Sequence, residues 1–564
     1  MSNNAPSSDL IGQRTQRIQN RDKLKELGVN PYPSQSRKDI PNANVPLHFD
    51  EYEGKELSLT GRLIAIREHG KLIFGDIKDT SGTVQIAIKQ DGLKSELPSG
   101  FLGWNELKYI DEGDFVEVKG TVGKTQQGEI TLFVQTVRLL AKSIRPLPQT
   151  FDDKELQFRR RYIDLVINEE RKARFERKSQ FWNISREFMQ KHGFIEVETP
   201  VLEHVTGGAD ARPFITHHNT LDQEFYLRIS TELYQKRLIG GGFEKIYTIG
   251  PNFRNEGSSD EHLQEFYQLE WYLAYADYRD NMKLVSDLFR ELAQKIYGKT
   301  SFTTRGHTFD LAEEWKEIDY KEVIKEKLGI DIFADTDDAM LAKLKEKGVE
   351  LTGAINRNRL IDNLWKVIRK EISGPAFLVN EPAFMSPLAK AKPEDARLTE
   401  RYHVILAGSE LGNGYTEIND PEYQLTQFLD QQKMRDTGDD EAQMLDIDYV
   451  EMLEFGMPPV TGHGHSERLF WFFEDITGRE GTLFPQLRNE VEKLTKEIYP
   501  QINFHKQPNH QQRTTNNAQG SIDLSGLPTK DEALSLLEKY VQEPYQRLHA
   551  KMVARAMECC AADY

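Results

Sequence analysis

The sequence predicts an α+β protein in which a small β-barrel precedes a larger domain built from strands and helices. At 564 residues the chain is too long for a single hydrophobic core, which predicts two to four domains. Residues 56–147 contain five strand-like runs separated by turns that contain glycine. After residue 148, helical periodicity alternates with strand-like runs. This change of period predicts separate domains.

The composition is typical of a globular protein, with 38% hydrophobic residues, 29% charged residues and a mean hydropathy of −0.62. The chain contains no run of about 18 apolar residues, so that no membrane span is predicted. The N-terminus lacks the basic and apolar regions of a secretion signal, and Cys559 and Cys560 have neither disulfide nor metal-site spacing. We therefore expect a cytoplasmic protein. The net charge of −17 argues against indiscriminate nucleic-acid binding, but it is compatible with a local basic face.

The first part of the chain predicts a helix, a linker and the barrel. Residues 8–29 predict one helix, since Ser8 or Asp9 can cap it and Gly28 can end it. A linker rich in proline follows, and the five runs between residues 46 and 147 suit an OB-fold, a barrel that often binds single-stranded nucleic acid. On this pattern alone, a structural or protein-binding role for the barrel stays open.

The stretch Tyr247–Tyr278 reads as a strand, a polar loop and a second strand. Arg254, near the end of the first strand, can bind a phosphate or a carboxylate through two hydrogen bonds. Glu256 lies on the same face of the chain, and Phe266 can carry a base on its ring. These residue types suit a nucleotide site, although an edge hairpin with a solvated loop is the alternative.

A second candidate stretch lies at residues 400–421. Asn413, Tyr415 and Glu417 alternate along the chain, so that all three face one side of an extended strand. An amide, an aromatic ring and a carboxylate together form a pocket for an ammonium group on a long apolar stem.

Together these stretches resemble the class II aminoacyl-tRNA synthetases, and the lysyl enzymes in particular. Phe253–Glu256 and Glu270–Tyr272 resemble motif 2, the helix and strand that end at Thr199-Pro200 resemble motif 1, and residues 456–488 resemble motif 3. The resemblance implies an OB-fold anticodon-binding domain and a catalytic domain with an antiparallel sheet flanked by helices. The domains implied are an N-terminal helix and linker at 1–45, the OB-fold at 46–147, the catalytic domain at 148–500 with a helical insertion at 301–390, a polar linker at 501–526 and a helical extension at 527–564.

The resemblance also implies roles for individual residues. The lysine-binding residues would be Gly208, Glu232, Glu270, Tyr272, Asn413, Tyr415 and Glu417. The ATP-binding residues would be Arg254, Glu256, His262, Phe266, Glu410 and Arg468, of which Arg254 and Arg468 would be catalytic. Mg²⁺ would lie at Glu410 and His403, and the anticodon would contact Arg67, Phe74, Gln85 and Glu129.

The chain departs from the family pattern at three places. His403 stands where the family has a second metal-binding glutamate, and imidazole is a poor ligand for Mg²⁺. Ser409 stands where the family has an arginine. The run Gly462–Arg468 lacks one glycine of motif 3 and is one residue shorter, and we interpret His463 and His465 within it as packed histidines rather than phosphate ligands.

The predicted function is ATP-dependent ligation of L-lysine to tRNA(Lys) through a lysyl-adenylate, with release of AMP and pyrophosphate. Mg²⁺ is the expected cofactor, ATP a substrate, and a homodimer without membrane contact the expected assembly. The alternatives are a paralogue that binds lysine or nucleotide without turnover, an enzyme that lysylates a protein, and an aspartyl or asparaginyl synthetase. The last is disfavoured because the predicted pocket offers carboxylates where an acidic substrate needs a cation.

Overall fold

A computed structural model describes residues 7–94, 100–351 and 356–504. The chain divides into two compact units, residues 1–489 and 490–564. The helices predicted within 527–564 lie outside the described residues. No helix in the described ranges is long and apolar enough to cross a membrane.

The N-terminal part of the first unit contains the predicted helix and barrel. Its helices are α1 (Ser7–Glu26), α2 (Asn44–Leu47) and α3 (Phe49–Tyr52), with a 3₁₀ turn at Leu107–Tyr109. Its strands are β1 (Glu56–His69), β2 (Leu72–Lys78), β3 (Thr83–Lys89), β4 (Phe101–Leu102), β5 (Phe115–Lys124) and β6 (Ile130–Ala141). The strand order is β3-β2-β1-β5-β6-β4, and a parallel pairing of β3 with β6 closes the barrel. The predicted OB-fold is confirmed, and its five long strands coincide with the five predicted runs.

The next segment leads into the larger domain and contains the two strands of the predicted hairpin. Its helices are α4 (Lys154–Arg159), α5 (Arg161–Ile167), α6 (Glu169–Lys191), α7 (Glu232–Gly240) and α8 (Tyr278–Tyr297). Its strands are β7 (Ile195–Glu196), β8 (Leu202–Glu203), β9 (Ile215–His218), β10 (Gln223–Leu227), β11 (Lys245–Phe253) and β12 (Glu265–Ala274). The single strand expected near Pro200 is two short strands, since proline has no N–H for a sheet ladder.

Residues 301–390 differ from the helical insertion that the sequence predicts. The helices of this segment are α9 (Tyr320–Leu328), α10 (Asp337–Glu346) and α11 (Arg357–Arg369), with a 3₁₀ turn at Ala383–Met385. The same segment also contains four strands, β13 (Ser301–Thr304), β14 (His307–Asp310), β15 (Lys316–Asp319) and β16 (Ala376–Val379). Strand β16 pairs with the catalytic sheet and β15 pairs with β16, so part of the segment belongs to the framework of the domain.

The remaining elements complete an eight-stranded sheet. They are β17 (Arg401–Leu406), β18 (Ser409–Thr416), α12 (Pro421–Asp436), α13 (Ile447–Phe455), β19 (Val460–Ser466) and α14 (Arg468–Glu474). The strand order is β15-β16-β17-β18-β19-β12-β11-β7, antiparallel except for the outermost pair at each edge. Helices α6, α8 and α14 share a large apolar core with one face of this sheet. On the other face, helices α7, α12 and α13 pack over part of the sheet, and the remainder borders a polar cavity. In the second unit, α15 (Lys493–Ile498) is the helix within the described residues.

Candidate active site

A cavity of about 470 Å³ opens on the sheet face opposite α8. Strands β12, β18 and β19 form its floor, and α7, α11 and the segment around Glu381 contribute walls. The predicted site residues that line it are Gly208, Glu232, Arg254, Glu270, Tyr272, His403, Glu410, Asn413, Tyr415 and Glu417. Glu256, His262 and Phe266 lie on the β11–β12 hairpin, and Arg468 is the first residue of α14.

The floor of the cavity follows from the alternation of side chains along its strands. On β12, Glu270 and Tyr272 point into the cavity, whereas Trp271 is completely buried in the core behind the sheet. Glu270 pairs with Gly464 of β19, and Tyr272 pairs with Gly462. On β18, Asn413 and Tyr415 line the cavity in the predicted manner.

Position 462 requires a glycine because two cavity side chains approach its backbone closely. A Cβ atom at this position would lie 2.4 Å from Cε1 of Tyr272 and 2.7 Å from Oε1 of Glu417. At Gly464, a Cβ atom would lie 2.6 Å from Nε2 of Gln268. The glycines of β19 therefore leave its cavity face without side chains.

The two histidines of β19 pack on the opposite face of the sheet. His463 and His465 are buried, and Nδ1 of His463 lies 2.9 Å from the Tyr402 hydroxyl. The ring of His463 also packs against Trp271, with 4.5 Å between ring centres. Burial lowers the pKa of His465 to about 3, so that its imidazole is neutral. These contacts agree with the interpretation of both residues as packed histidines.

Glu270 is held by a dense set of hydrogen bonds at the floor of the cavity. Its carboxylate accepts from the Thr231 hydroxyl at 2.8 Å, from the Tyr272 hydroxyl at 2.8 Å and from the Ser230 hydroxyl at 3.2 Å. Thr231 and Ser230 immediately precede α7. The turn into this helix therefore fixes the orientation of Glu270.

A buried lysine occupies the centre of the carboxylate cluster. Lys236 is fully buried on α7, and its ammonium lies 2.5 Å from Oε1 of Glu232 and forms an ion pair with Glu417. Glu232 also accepts a hydrogen bond of 2.6 Å from the Tyr415 hydroxyl. The sequence analysis missed Lys236. The signal was its spacing of four residues from Glu232, which places the two side chains on one helix face.

The cluster contains more carboxyl groups than ammonium groups. Three buried carboxylates, those of Glu232, Glu270 and Glu417, face one resident ammonium. Burial, reinforced by the neighbouring carboxylates, raises the pKa of Glu417 well above its ordinary value and also raises the pKa of Glu270. This arrangement suits a ligand that brings positive charge into the cavity.

Positive groups gather at the other end of the site. The Arg254 guanidinium lies 5.2 Å from the centre of the Phe266 ring, and Arg468 forms an ion pair with Glu261 of the β11–β12 loop. Arg369, at the end of α11, lies 3.1 Å from Glu410. Burial, together with the charge of Arg369, lowers the pKa of Arg468 to about 10. Arginines arranged in this way suit a chain of phosphates.

The neighbourhood of the predicted metal site contains one carboxylate that the sequence analysis missed. His403 lies between Glu381 and Glu410, with its ring nitrogens 3.5 Å and 3.6 Å from their carboxylate oxygens. The Trp365 indole donates to Glu410 at 2.6 Å. Glu381 and Trp365 belong to the segment 301–390, which the sequence analysis described as a helical insertion and to which it gave no site residue.

The side chains around Glu410 fit Mg²⁺ as a partner of bound phosphates rather than as an ion in a protein cage. Within the described ranges, no group of three His, Cys, Asp or Glu residues could hold a metal. Mg²⁺ commonly takes one or two carboxylates and completes its shell with phosphate oxygens and water. Glu410 would supply such a carboxylate, and Glu381 would be a second hard ligand nearby.

The barrel displays the predicted anticodon-binding residues on its outer surface. Arg67 of β1 pairs with Phe74 of β2, and Gln85 of β3 accepts a hydrogen bond of 2.7 Å from Thr131. Glu129 is exposed beside the start of β6. Phe133, which the sequence analysis missed, continues the row of Phe74 across β3 to β6. Two aromatic rings beside an arginine and an amide suit stacking and edge recognition of single-stranded bases.

Comparison with protein families agrees with this combination of fold and site. Residues 153–488 match the model of the tRNA synthetases class II (D, K and N), and residues 57–140 match the model of the OB-fold nucleic acid binding domain. The chain therefore belongs to the class II tRNA synthetases.

Individual relatives narrow the assignment within this class. The lysine–tRNA ligase of Thermotoga maritima is 44% identical over 483 residues, covering 84% of this chain and 95% of the relative. That of Fervidobacterium nodosum is 44% identical over 488 residues, covering 85% and 94%. That of Clostridium novyi is 40% identical over 490 residues, again covering 85% and 94%. The chain belongs to the lysine–tRNA ligase family.

Proposed function

We propose that the protein ligates L-lysine to tRNA(Lys) in two steps, through a lysyl-adenylate, and releases pyrophosphate and AMP. The observation that carries this proposal is the buried cluster of Glu232, Glu270 and Glu417. Lys236 pairs with Glu232 and Glu417, whereas Glu270 is held by hydroxyl groups. Lysine would bring two ammonium groups and one carboxylate to these carboxyl groups, whereas aspartate would bring one ammonium group and two carboxylates.

The residues around the cluster give lysine a defined orientation. Glu232 would receive the α-amino group, and the backbone at Gly208 would approach the substrate closely. Glu270, Tyr272, Asn413, Tyr415 and Glu417 would bind the side chain. Tyr272 and Tyr415 are both held by hydrogen bonds to glutamates, so the aromatic walls are positioned before the ligand arrives.

In the first step, a carboxylate oxygen of lysine attacks the α-phosphorus of ATP, and the bond to the bridging oxygen of pyrophosphate breaks. Arg254 would stabilise the charge that develops on the α-phosphate, and Arg468 would hold the leaving pyrophosphate. Phe266 would stack on adenine, and Glu256 and His262 would bind the nucleotide. Mg²⁺, when bound at Glu410 with His403 beside it, would neutralise phosphate charge.

In the second step, a hydroxyl of the 3′-terminal ribose of tRNA attacks the carbonyl carbon of the adenylate, and AMP leaves. The barrel would position this tRNA by binding its anticodon, with Phe74 stacking a base, Gln85 and Arg67 reading polar groups, and Glu129 at the rim. The cross-strand pairing of Arg67 with Phe74 supports this role because it places a cation beside an aromatic platform.

We also propose that the protein acts as a homodimer in the cytoplasm. The region after α6 exposes apolar side chains on edge strands, among them Ile195 of β7, Leu202 of β8 and Ile215 of β9, which are 54%, 43% and 61% exposed. A group of apolar side chains at a sheet edge suits a protein interface. Light scattering coupled to size-exclusion chromatography should give twice the mass of 65.1 kDa.

The proposed function is tested by ATP–pyrophosphate exchange with each of the twenty amino acids in the presence of Mg²⁺. We expect exchange with lysine alone, and loss of that exchange in the Glu270→Gln variant. Exchange with aspartate or asparagine would overturn the substrate assignment.

A second candidate is a lysine-binding paralogue without turnover, which the ion pair between Arg468 and Glu261 and the serine at position 409 favour. Lysine binding measured by calorimetry, without exchange by the folded dimer, would establish this alternative.

A further inference from the structure

The β13–β14 hairpin carries an arginine, Arg305, that shares an ion-pair partner with Arg468. Arg305 and Gly306 form its two-residue turn, and both have a left-handed backbone, with φ values of 53° and 81°. Turns of this kind favour asparagine and glycine, because a side chain with φ > 0 is strained. An arginine in this position suggests a use for its side chain rather than a preference of the turn.

The side chain of Arg305 is oriented from two directions. Its guanidinium lies 4.1 Å from the centre of the Phe472 ring, and its backbone N–H donates to Asp475 at 3.1 Å. Phe472 lies one helical turn after Arg468 on α14, so Arg305 packs on the helix face that also carries Arg468. Burial and the nearby charge of Arg468 lower the pKa of Arg305.

One carboxylate joins these two arginines. Glu261, on the β11–β12 loop, forms ion pairs with both Arg305 and Arg468. The Ser409 hydroxyl completes the set of donors around it, at 3.2 Å and 3.3 Å from the two carboxylate oxygens. Two guanidinium groups and a hydroxyl around one anionic group form the kind of site that binds a phosphate.

The donors at this position can serve an anion that has more acceptor oxygens than a carboxylate. Both guanidinium groups contact the Glu261 carboxylate directly, whereas Asp260 and Asp475 attract Arg305 without an ion pair to its side chain. Glu410 and Arg369, which also face Arg468, pair with each other. A terminal phosphate carries more negative charge and more acceptor oxygens than Glu261 does.

We propose that Arg305 binds the terminal phosphates of ATP together with Arg468, and that the Glu261 carboxylate holds this arginine pair until the nucleotide displaces it. The proposal deepens the proposed function and rests on ATP being the substrate. It gives the hairpin a direct role in the reaction, and it makes Glu261 a competitor of the triphosphate.

Calorimetric titrations of the full chain with ATP and with AMP, at constant Mg²⁺, test the proposal. Arg305→Gln should weaken ATP binding by roughly tenfold and leave AMP binding unchanged, because AMP lacks the terminal phosphates. Glu261→Gln should tighten ATP binding several-fold without changing AMP binding. The matched control is Arg279→Gln, which removes another arginine paired with a glutamate, Glu317, from an exposed site, and both affinities should remain unchanged.

The AMP titration also reports whether each variant retains its nucleotide site. Unchanged ATP affinity in Arg305→Gln, or an equal loss of ATP and AMP affinity, would overturn the role of Arg305. Weaker ATP binding by Glu261→Gln would overturn its role as a competitor. If Arg305→Gln does not fold, Arg305→Lys with Glu261→Gln provides the same comparison. These titrations contain no amino acid, so their outcome is independent of lysine-dependent exchange.

Discussion

The ammonium of Lys236 lies 2.5 Å from the carboxylate of Glu232, at the centre of the proposed lysine pocket. The chain thus holds one of its own lysine side chains against the carboxylates that are proposed to bind lysine. The rings of Tyr415 and Tyr449 lie 5.4 Å and 5.9 Å from this ammonium. Since burying two carboxylates without a cation is costly, Lys236 allows Glu232 and Glu417 to be buried before a substrate is bound.

The first prediction concerns this ion pair. Lys236→Met should lower the free energy of unfolding by about 3 kcal/mol, because it leaves buried carboxylates without their cation. The double variant Lys236→Met/Glu417→Gln should recover part of that loss. As a control, Lys343→Met removes an exposed pair with Glu346 and should cost under about 1 kcal/mol. Urea denaturation measures all three, and equal effects of Lys236→Met and Lys343→Met would contradict the prediction.

The second prediction concerns the floor of the pocket. Gly462→Ala should weaken lysine binding by roughly tenfold to hundredfold, since the added methyl group must displace Tyr272 or Glu417. Calorimetry with lysine measures the effect. Gly12→Ala is the matched control, because a Cβ atom at Gly12 of α1 would meet nothing within 4 Å. If the Gly462→Ala variant binds lysine with unchanged affinity, the ligand binds elsewhere.

The third prediction concerns pH. Burial and neighbouring carboxylates raise the pKa values of Glu417 and Glu270 in the free protein, and a bound ammonium group would lower them again. Lysine binding should therefore release protons between the ordinary carboxyl pKa and the raised values, and its affinity should increase with pH across that window. The stability of the free protein should decrease with pH over the same window, because the native state binds more protons there than the unfolded state.

Calorimetry in two buffers of different ionisation enthalpy measures these protons. The Glu270→Gln variant should release fewer of them. Proton uptake on lysine binding would contradict the assignment of the cluster.

The fourth prediction separates tRNA binding from adenylation. Phe74→Ala should raise the KM for tRNA by roughly 10- to 100-fold, since stacking of a base on an aromatic ring contributes about 1–3 kcal/mol. Lysine-dependent ATP–pyrophosphate exchange should not change. The control is Phe115→Ala, which removes another exposed aromatic ring of the same barrel. A similar increase in KM for both variants would indicate loss of barrel structure rather than loss of a base contact.

Much of the framework could be predicted from the sequence because its signals are local. The five long barrel strands have a period of two and are separated by segments that contain glycine. The alternation of Asn413, Tyr415 and Glu417 correctly placed all three at the cavity, with Glu417 one residue beyond the end of β18. The four-residue strands β15 and β16 gave no such signal. Each is too short to show a period, and the two pair in parallel across almost 60 residues of helical sequence.

The parts of the site that the sequence did not predict depend on contacts between distant segments. Glu381, which contacts His403, lies in the connection between β16 and β17. Arg305, which contacts Glu261, lies in the β13–β14 hairpin that precedes the helices α9–α11. Nothing in the residues around Arg305 distinguishes it from a surface arginine. Its role becomes visible only when α14 brings Arg468 to the same place.

The two faces of β19 differ in the substitutions that they can tolerate. Toward the cavity, Gly462 and Gly464 present only the peptide backbone, so the ligand would rest on atoms that are common to every amino acid. The side chains of the alternate residues, His463 and His465, pack in the interior on the other side of the sheet. The unusual sequence of this strand therefore affects the packing of the core behind the sheet. A relative could have other bulky side chains in place of those histidines and still present the same cavity surface to its substrate.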